Sequence, residues 1–348
     1  MKSGLLLINL GSPDSTSVGD VRRYLREFLS DPDVIDLPAL GRNLLLYGAI
    51  LPFRPRKSAE AYRTIWTESG SPLIDHTRKL SESVQAILGT EVEVKMAMRY
   101  GNPSIASALR QFRDAGIMRV HCIALYPQYS TASMGSTYKE VMRQNSRLQD
   151  PLFLSTEPAF YCRSGFLDAW SEIIRPELAP DFRVLFSFHG IPERQVLKSS
   201  HDGHCRLGDC CNTIPDFCYR AQCLATARTV ADRLGLKSDE WEMTFQSRLG
   251  RTPWLKPYTD LRLHDLPGEG VRKVIVVSPS FVADCLETLE ELNIRAREDF
   301  LAAGGEEFRF VPSLNQSPAW VQELADMAHT ALQDRVQAHE MKGPSGRI

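Results

Sequence analysis

Residues 183–192, with the sequence Arg-Val-Leu-Phe-Ser-Phe-His-Gly-Ile-Pro, decide the fold class of this chain. An apolar run leads directly into His189 and a Gly-Ile-Pro turn, which predicts a buried β-strand that ends at the histidine. Residues 5–13, Leu-Leu-Leu-Ile-Asn-Leu-Gly-Ser-Pro, have the same form. Amphipathic helical patterns separate strands of this kind along the chain, and that alternation predicts parallel sheets with helices on both faces.

Two further pairs of strand-end turns match each other in the same order. Residues 99–103 (Arg-Tyr-Gly-Asn-Pro) correspond to residues 248–253 (Arg-Leu-Gly-Arg-Thr-Pro), and Tyr126-Pro127 corresponds to Ser278-Pro279. Glycine and proline collect at strand ends in any case, so chance similarity is the alternative explanation. Three matches in one order favour two similar α/β lobes.

The spacing of the matched turns predicts where the lobes differ. Positions 11 and 190 lie further apart than the later matched pairs, so the first lobe should carry an insertion after its first strand. We expect a first lobe over residues 1–165 with an insertion at about 29–75, and a second lobe over residues 166–335. The second lobe would contain a cysteine-rich insert at about 199–219, and residues 336–348 would form a tail. Because ligands bind beyond the carboxyl ends of parallel strands, the predicted site is the cleft between the lobes.

Composition excludes several classes of protein. A net charge of −2 and an isoelectric point near 6.5 give no electrostatic reason to expect a nucleic-acid partner. No apolar run approaches the length of a transmembrane helix. The apolar run at residues 4–10 is short and enters a turn directly, so it is interpreted as a strand rather than a signal peptide. We expect a cytoplasmic protein, and the sequence leaves its oligomeric state open.

Two groups of titratable side chains are candidates for chemistry in the cleft. His189 follows a buried strand directly, where an imidazole can accept a proton or bind a metal; a structural histidine at a strand end is the alternative. Asp284, Glu287 and Glu291 have a spacing that predicts one face of a helix after another strand. This acidic row suits proton relay or cation transport, or it simply complements the helix dipole.

Aromatic residues follow several of the predicted strands. Tyr126 and Tyr129 come after one strand, and Trp254 follows another, close to Arg248. Aromatic rings with arginine nearby suit a flat, apolar ligand that carries carboxylates. Packing in the core is the alternative, most of all for Tyr126.

Together these segments resemble the ferrochelatases, enzymes that insert ferrous iron into a porphyrin. The resemblance spans roughly residues 4–330 in unbroken order. Its motifs are LLLINLGSP (5–13), YRTIWTESGSPL (62–73), MRYGNP (98–103), ALYPQYS (124–130), FSFHGIP (186–192), TFQSRLGRTPWLKPYTD (244–260) and FVADCLETLEEL (281–292). The resemblance implies two Rossmann-like lobes around a porphyrin cleft, in agreement with the internal repeat.

The resemblance also implies roles for particular residues. The catalytic histidine of the family falls on His189 and its essential glutamate on Glu287, with Fe(II) as the metal substrate. Asp284 and Glu291 are then further candidates for metal or proton relay. The porphyrin contacts of the family fall on five positions: Leu10, Arg99, Tyr129, Trp254 and Phe281. Some relatives have histidine where this chain has Cys285, which leaves a role of that position in metal delivery open.

A cluster of cysteines follows the His189 strand. In a long chain without a secretion signal, such spacing favours metal or iron–sulfur ligation over disulfides. Alignment with the family assigns Cys223 to an ordinary helix, which leaves Cys205, Cys210, Cys211 and Cys218 as the added thiols. By analogy they would bind a [2Fe–2S] cluster. Structural zinc, with His201 or His204 as further ligands, and a loop of free thiols are the alternatives.

Several functional questions stay open at this point. Protoporphyrin IX is the expected acceptor, with the more carboxylated coproporphyrin as the alternative, and His189 could act as base or as metal ligand. A binding protein without catalysis would not need both His189 and Glu287, and an iron–sulfur sensor would not need the cleft motifs. Residues 44–53 form an apolar stretch followed by Arg54, Arg56 and Lys57, which favours peripheral contact with the inner face of a membrane. A porphyrin lid or a core segment is the alternative.

Overall fold

A computed structural model describes residues 2–200, 203–212, 218–248, 250 and 252–340. Within that part of the chain lie two parallel four-stranded sheets. The first sheet has the order β2-β1-β3-β4 and comprises β1 (Ser3–Ser12), β2 (Val92–Gly101), β3 (Arg119–Ala124) and β4 (Phe153–Thr156). The second has the order β6-β5-β7-β8 and comprises β5 (Arg183–His189), β6 (Trp241–Gln246), β7 (Lys273–Val277) and β8 (Glu307–Phe310). The shared strand order confirms the predicted pair of Rossmann-like lobes.

Helices flank both sheets and make up the long connections. The α-helices are α1 (Val18–Ser30), α2 (Ala39–Leu45), α3 (Leu51–Ile65), α4 (Pro72–Leu88), α5 (Ile105–Asp114), α6 (Ser136–Asn145), α7 (Ser164–Ile174), α8 (Glu193–Ser199), α9 (Tyr219–Leu234), α10 (Thr259–Asp265), α11 (Arg297–Ala302) and α12 (Pro318–Glu340). π-Helices cover Leu46–Ile50, Thr131–Gly135 and Glu287–Ala296, and 3₁₀ turns cover Arg175–Glu177, Asp209–Asn212 and Leu266–Glu269. Helix α12 continues to Glu340, although a tail was expected from residue 336, and residues 341–348 lie outside the described residues.

One hydrophobic core joins the lobes. Leu5 and Leu7 of β1, Phe186 and Phe188 of β5, and Trp320 of α12 belong to a single buried cluster. The last helix, α12, also packs against α4 of the first lobe and against α7. Since burial of large side chains stabilises the folded chain, this shared core fixes the position of one set of strand ends relative to the other.

The two central strands end in turns that only glycine fits. Gly11 has a φ of +112°, and a Cβ atom there would lie 1.8 Å from the carbonyl oxygen of Tyr100. A Cβ atom at Gly190 would lie 2.8 Å from the carbonyl oxygen of Gln246 and 3.3 Å from the ring of Trp254. Each turn therefore passes directly over the neighbouring strand, β2 or β6, before the chain leaves the sheet.

Candidate active site

His189 is the last residue of β5, and its backbone is held on both sides. Its N–H donates to Ser280 Oγ at 3.0 Å, and its carbonyl oxygen accepts from the Tyr219 hydroxyl at 2.7 Å. The ring atom Nδ1 lies 2.6 Å from the carbonyl oxygen of Gly190. Because a carbonyl oxygen can only accept, Nδ1 carries a proton, and in the neutral ring the Nε2 lone pair is left for the cleft.

The surroundings of His189 favour the neutral ring. Burial lowers its pKa below the ordinary value of 6.5, although the negative charge of Glu287 and the bond to Gly190 oppose that shift. The rings of Trp254 and Phe281 lie beside it, with centroids 6.4 Å and 6.0 Å from the imidazole. At neutral pH the cleft therefore contains an uncharged imidazole that can accept a proton or bind a metal.

Glu287 lies close to His189 and begins the π-helix Glu287–Ala296. Burial raises the pKa of Tyr62 and that of Cys285, and the charge of Glu287 raises both further, which places its carboxylate near these side chains as well. Gln246 Nε2 donates to the backbone carbonyl of Glu287 at 2.8 Å and so ties the start of this helix to β6. The structure thus brings together the two residues that the sequence singled out most strongly.

Asp284 does not lie on the helical face predicted from its spacing, and that expectation is wrong. The chain is not helical at Asp284, which is buried and precedes the π-helix. Its Oδ1 accepts from the backbone N–H of Ser313 and from the hydroxyl of Thr288, and its Oδ2 accepts from Asn315 Nδ2 at 2.8 Å. Both carboxylate oxygens are therefore engaged in fixing the start of the helix.

Glu291 follows Glu287 by four residues, close to one turn of the π-helix, so the two share a side of it. Its two oxygens accept from Ser247, one from the backbone N–H at 2.9 Å and one from the hydroxyl at 2.5 Å. Ser247 has a φ of +67°, so Glu291 stabilises a left-handed turn at the end of β6. Burial raises the pKa of Glu291, and the bonds from Ser247 and the charge of Arg295 act against this.

Arg99 is paired within the first lobe. Its Nη2 lies 2.5 Å from Asp31 Oδ2, its Nε donates to Ser136 Oγ at 2.8 Å, and its guanidinium lies over the Tyr100 ring. The side chain is only 14% exposed. Asp31 therefore neutralises the charge of Arg99, the residue to which the resemblance assigns a porphyrin contact.

The other predicted contacts lie on different parts of the cleft. Leu10 and Phe281 line one small cavity together with Leu73, Leu125 and Cys285. Tyr129 lines a second small cavity, with Gln195 and Tyr219. Trp254 lies beside His189, as described above. Leu10, Phe281, Trp254 and His189 thus surround one part of the cleft, while Tyr129 lies nearer the cysteine-rich insert.

The thiols of that insert form two pairs. Cys205 hydrogen-bonds Cys210, and Cys211 hydrogen-bonds Cys218, a contact that lowers the pKa of Cys218 to about 7. Among the residues that the structure describes, no group of three or more His, Cys, Asp or Glu side chains lies close enough to hold a metal. His201 lies outside the described residues, whereas Cys223 is fully buried in α9. Thiolates are suitable ligands for an iron–sulfur cluster, but a cluster needs its ligands around one centre and these thiols lie in two pairs.

Sequence reasoning missed several residues that shape the site. Tyr219 and Ser280 hold the backbone of His189, and Tyr24 and Tyr62 lie buried beside Glu287. Tyr219 and Ser280 each border a segment that the sequence did single out, the cysteine-rich insert and the turn after β7. Their role depends on contacts between segments far apart in the chain, for which the local pattern gives no signal.

Comparisons with known proteins place this geometry in a family. A family model described as "Ferrochelatase" matches residues 2–332. A ferrochelatase of Ectopseudomonas mendocina is 46% identical over 335 residues, which cover 94% of this chain and 98% of that protein. One from Legionella pneumophila (strain Lens) is 43% identical over 332 residues, covering 94% of this chain and 99% of that protein.

The chain belongs to the ferrochelatase family. It is a porphyrin metal chelatase of the lyase class, and its reaction is the insertion of ferrous iron into a porphyrin to make haem. Family membership disfavours a binding protein without catalysis. Among solved structures, SirB from Bacillus subtilis with Fe³⁺ has a TM-score of 0.57 at 10% identity and covers 94% of this chain and 95% of that chain, a similarity of fold.

Proposed function

We propose that this ferrochelatase takes protoporphyrin IX as its acceptor and that His189 and Glu287 form its catalytic centre. Metallation removes two protons from the pyrrole nitrogens, so it needs a proton acceptor close to the ring. The observation that carries the proposal is the bond from His189 Nδ1 to Gly190, which leaves the Nε2 lone pair of a neutral imidazole to accept a proton, with the charge of Glu287 nearby. His189 accepts a pyrrole proton or holds Fe(II), and Glu287 passes protons or iron onward.

The character of the cleft supports protoporphyrin over coproporphyrin. Leu10, Leu73, Leu125 and Phe281 line an apolar cavity, which suits vinyl groups better than carboxylates. Arg99 does not offer a free charge to an additional propionate, since Asp31 neutralises it. We assign porphyrin contact to Leu10, Phe281, Trp254 and Tyr129, while Arg99 shapes the wall through its ion pair.

The acceptor is tested by insertion assays with both porphyrins under identical conditions. We expect kcat/KM for protoporphyrin IX to exceed that for coproporphyrin III by about tenfold or more, since carboxylates would have to enter an apolar cavity. Equal or faster metallation of coproporphyrin would overturn this choice of acceptor without affecting the assignment of His189.

We further propose that Asp284 and Glu291 support the centre without passing iron or protons. Their oxygens are engaged by Ser313, Thr288 and Asn315 for Asp284, and by Ser247 for Glu291. A buried carboxylate whose oxygens already accept hydrogen bonds is suited to holding the surrounding backbone in place rather than to carrying protons or iron. Asp284→Asn should lower the melting temperature and leave turnover close to that of wild type. A loss of turnover at an unchanged melting temperature would restore the relay.

We also propose that Cys205, Cys210, Cys211 and Cys218 bind a [2Fe–2S] cluster, with structural zinc as the alternative. The two thiol pairs and the lowered pKa of Cys218 support ligation, whereas their present separation into pairs does not. No electron transfer is required for metallation, so the group would order the insert. Anaerobically purified protein should contain acid-labile sulfide, which Cys210→Ser removes and Cys223→Ser retains. Stoichiometric zinc without sulfide would exclude the cluster.

A peripheral contact with the inner face of a membrane is a further proposal. Among the helices that the structure describes, none combines the length and apolar content that a bilayer crossing requires. In the segment from α2 to α3, however, Leu44, Tyr47 and Phe53 are 67%, 56% and 75% exposed. Arg54 and Lys57 follow directly and have no carboxylate partner in the described part of the chain. Exposed apolar residues next to cations favour binding to an anionic lipid surface.

Liposome flotation tests that surface. Wild-type protein should float with vesicles of anionic lipid, and the Leu44→Ser/Phe53→Ser variant should not. Phe153 is 69% exposed on the edge strand β4, so Phe153→Ser is a matched control that should float like wild type. Absence of flotation by wild-type protein at low salt would remove the proposal. The boundary at residue 165 and the cytoplasmic location also stay predictions.

A further inference from the structure

His189 loses one of its neighbouring strands before β5 ends. On the β6 side it still pairs with Gln246, but pairing with β7 ends at Phe186 and Val277. The backbone N–H of His189 donates instead to the hydroxyl of Ser280, which follows β7. A side chain thus replaces the missing ladder bond at the residue that carries the imidazole.

Tyr219 holds the other backbone group of His189. It is the first residue of α9, is only 6% exposed, and donates its hydroxyl to the His189 carbonyl at 2.7 Å. Ser280 and Tyr219 therefore hold the two peptide groups on either side of the His189 Cα, and we call this pair of contacts the clamp. With the Nδ1 bond to Gly190, these contacts fix the direction in which Nε2 points.

The start of α9 is tied in turn to the cysteine-rich insert. Arg220 Nη1 lies 3.0 Å from Cys211 Sγ and 3.4 Å from the carbonyl oxygen of Gly208. Arg228 Nη2 donates to Asn212 Oδ1 at 3.0 Å. Since α9 begins at Tyr219, the position of the Tyr219 hydroxyl depends on the order of the insert.

We infer that Tyr219 and Ser280 are positioning residues for His189, and that Tyr219 couples the cysteine-rich insert to the catalytic centre. The inference rests on the proposed role of His189. The insert would then affect metallation by changing the position of His189, and no electron transfer would be needed. A small displacement of a catalytic group is enough to slow a reaction without altering substrate binding.

Single substitutions test the clamp. In Tyr219→Phe and in Ser280→Ala we expect kcat to fall about five- to tenfold with little change in the KM for porphyrin. Ser280→Thr keeps a hydroxyl and should restore most of the activity that Ser280→Ala loses. Tyr138→Phe is the matched control, because Tyr138 also donates its hydroxyl to a backbone carbonyl, that of Glu157 in the first lobe. Tyr138→Phe should leave kcat unchanged even if it lowers the melting temperature as much as Tyr219→Phe does.

Hydrogen exchange supplies a readout that does not depend on activity. Peptides that contain His189 and Gly190 should exchange faster in Tyr219→Phe and in Arg220→Ala than in wild type, but not in Tyr138→Phe. In a double-mutant cycle, Tyr219→Phe and Arg220→Ala should have non-additive effects on kcat, because both act through one contact.

The outcomes separate the inference from the proposal on which it rests. If His189→Ala is inactive while Tyr219→Phe keeps wild-type kcat and exchange rates, the clamp is wrong and the role of His189 stands. If His189→Ala is active, the proposed catalytic role of His189 is wrong, and the inference that rests on this role is wrong with it. Additive effects of Tyr219→Phe and Arg220→Ala would contradict the coupling to the insert.

Discussion

The ends of β1 and β5 occupy equivalent places in their sheets and differ in chemistry. Each is a central strand of a parallel sheet with the same order, and each ends in a Gly-x-Pro turn over a neighbouring strand. The residue before the glycine is Leu10 in the first lobe and His189 in the second. The internal repeat therefore places an apolar side chain and an imidazole at equivalent positions on the two lobes.

Their neighbours differ in the same way. Leu10 packs among apolar side chains, with Leu73, Ala283 and Cys285 in one of its clusters. His189 has the charge of Glu287 nearby and hydroxyl groups on its backbone. Under the proposed assignment, the first lobe supplies a binding wall and the proton acceptor belongs to the second lobe.

Exchanging the two side chains is the most severe way to break this comparison. In Leu10→His/His189→Leu the imidazole remains in the protein, but it belongs to the first lobe and lacks the backbone bonds that Ser280 and Tyr219 make to residue 189. We expect turnover to fall by about three orders of magnitude, a large loss for a general base. Iron insertion is measured by porphyrin fluorescence, with circular dichroism as the check on folding. Turnover within about tenfold of wild type would mean that the lobes are interchangeable.

Removing the charge of Glu287 sharpens the comparison within the second lobe. Glu287→Gln keeps the shape of the side chain but cannot accept a proton, so kcat should fall about 100-fold. The charge of Glu287 raises the pKa of His189, so its loss should lower that pKa further. Below its pKa the imidazole is protonated and cannot accept a proton, so the acid limb of the pH–rate profile should move to lower pH. An unmoved limb with unchanged kcat would separate Glu287 from His189.

Substitution of Trp254 tests whether the second lobe also contributes to porphyrin binding. Trp254→Ala removes a large ring beside His189 and the Gly190 turn, so we expect the KM for porphyrin to rise roughly tenfold. The change in kcat should be smaller, because the proton acceptor stays in place. Trp254→Phe, which keeps an aromatic ring, should lie between wild type and Trp254→Ala. A loss confined to kcat would contradict a binding role.

The smallest effect concerns an ion pair between the lobes. Asp36, in the loop before α2, accepts from Arg194 and Lys198 of α8. Burial would raise the pKa of Asp36, but these two cations outweigh it and lower the pKa to about 2. Because the pKa is lowered on folding, the contribution is complete above the unfolded value of about 4 and is lost as pH falls towards 2.

Asp36→Asn should therefore cost about 1 kcal/mol in the free energy of unfolding at pH 7, a figure reduced for solvent screening of the partly exposed Arg194. Denaturant unfolding at pH 7 and at about pH 3 measures the difference, which should shrink at the lower pH. An equal difference at both values would show that the pair does not act through the charge of Asp36.

Much of this fold follows from patterns that the sequence displays. The apolar run before His189 and the repeated Gly-x-Pro turns predict parallel strands, because buried strands alternate with amphipathic helices. Strand β4 was not predicted, since Phe-Leu-Ser-Thr is short and half polar. The spacing predicts a helix at Glu287 but not its π form, because side-chain spacing does not distinguish i+4 from i+5 hydrogen bonding.

The candidate site was predictable only in part. Strand ends singled out His189 and the resemblance to the ferrochelatases singled out Glu287, and the structure brings these two side chains near each other. Spacing misplaced Asp284, whose partners Ser313 and Asn315 come from a distant loop. The pairing of Arg99 with Asp31 is equally invisible locally, because it joins residues that are far apart in sequence. Contacts of this kind depend on tertiary packing rather than on periodicity.

The most direct test of the account is the turnover of His189→Ala together with its porphyrin affinity. Fluorescence quenching measures binding, and zinc or iron insertion measures turnover, on protein whose circular dichroism matches wild type. The account predicts affinity within about threefold of wild type and turnover lower by about three orders of magnitude, because only the proton acceptor is removed. Turnover within about threefold of wild type would contradict it, since the imidazole on the second lobe would then not be the group that acts on the porphyrin.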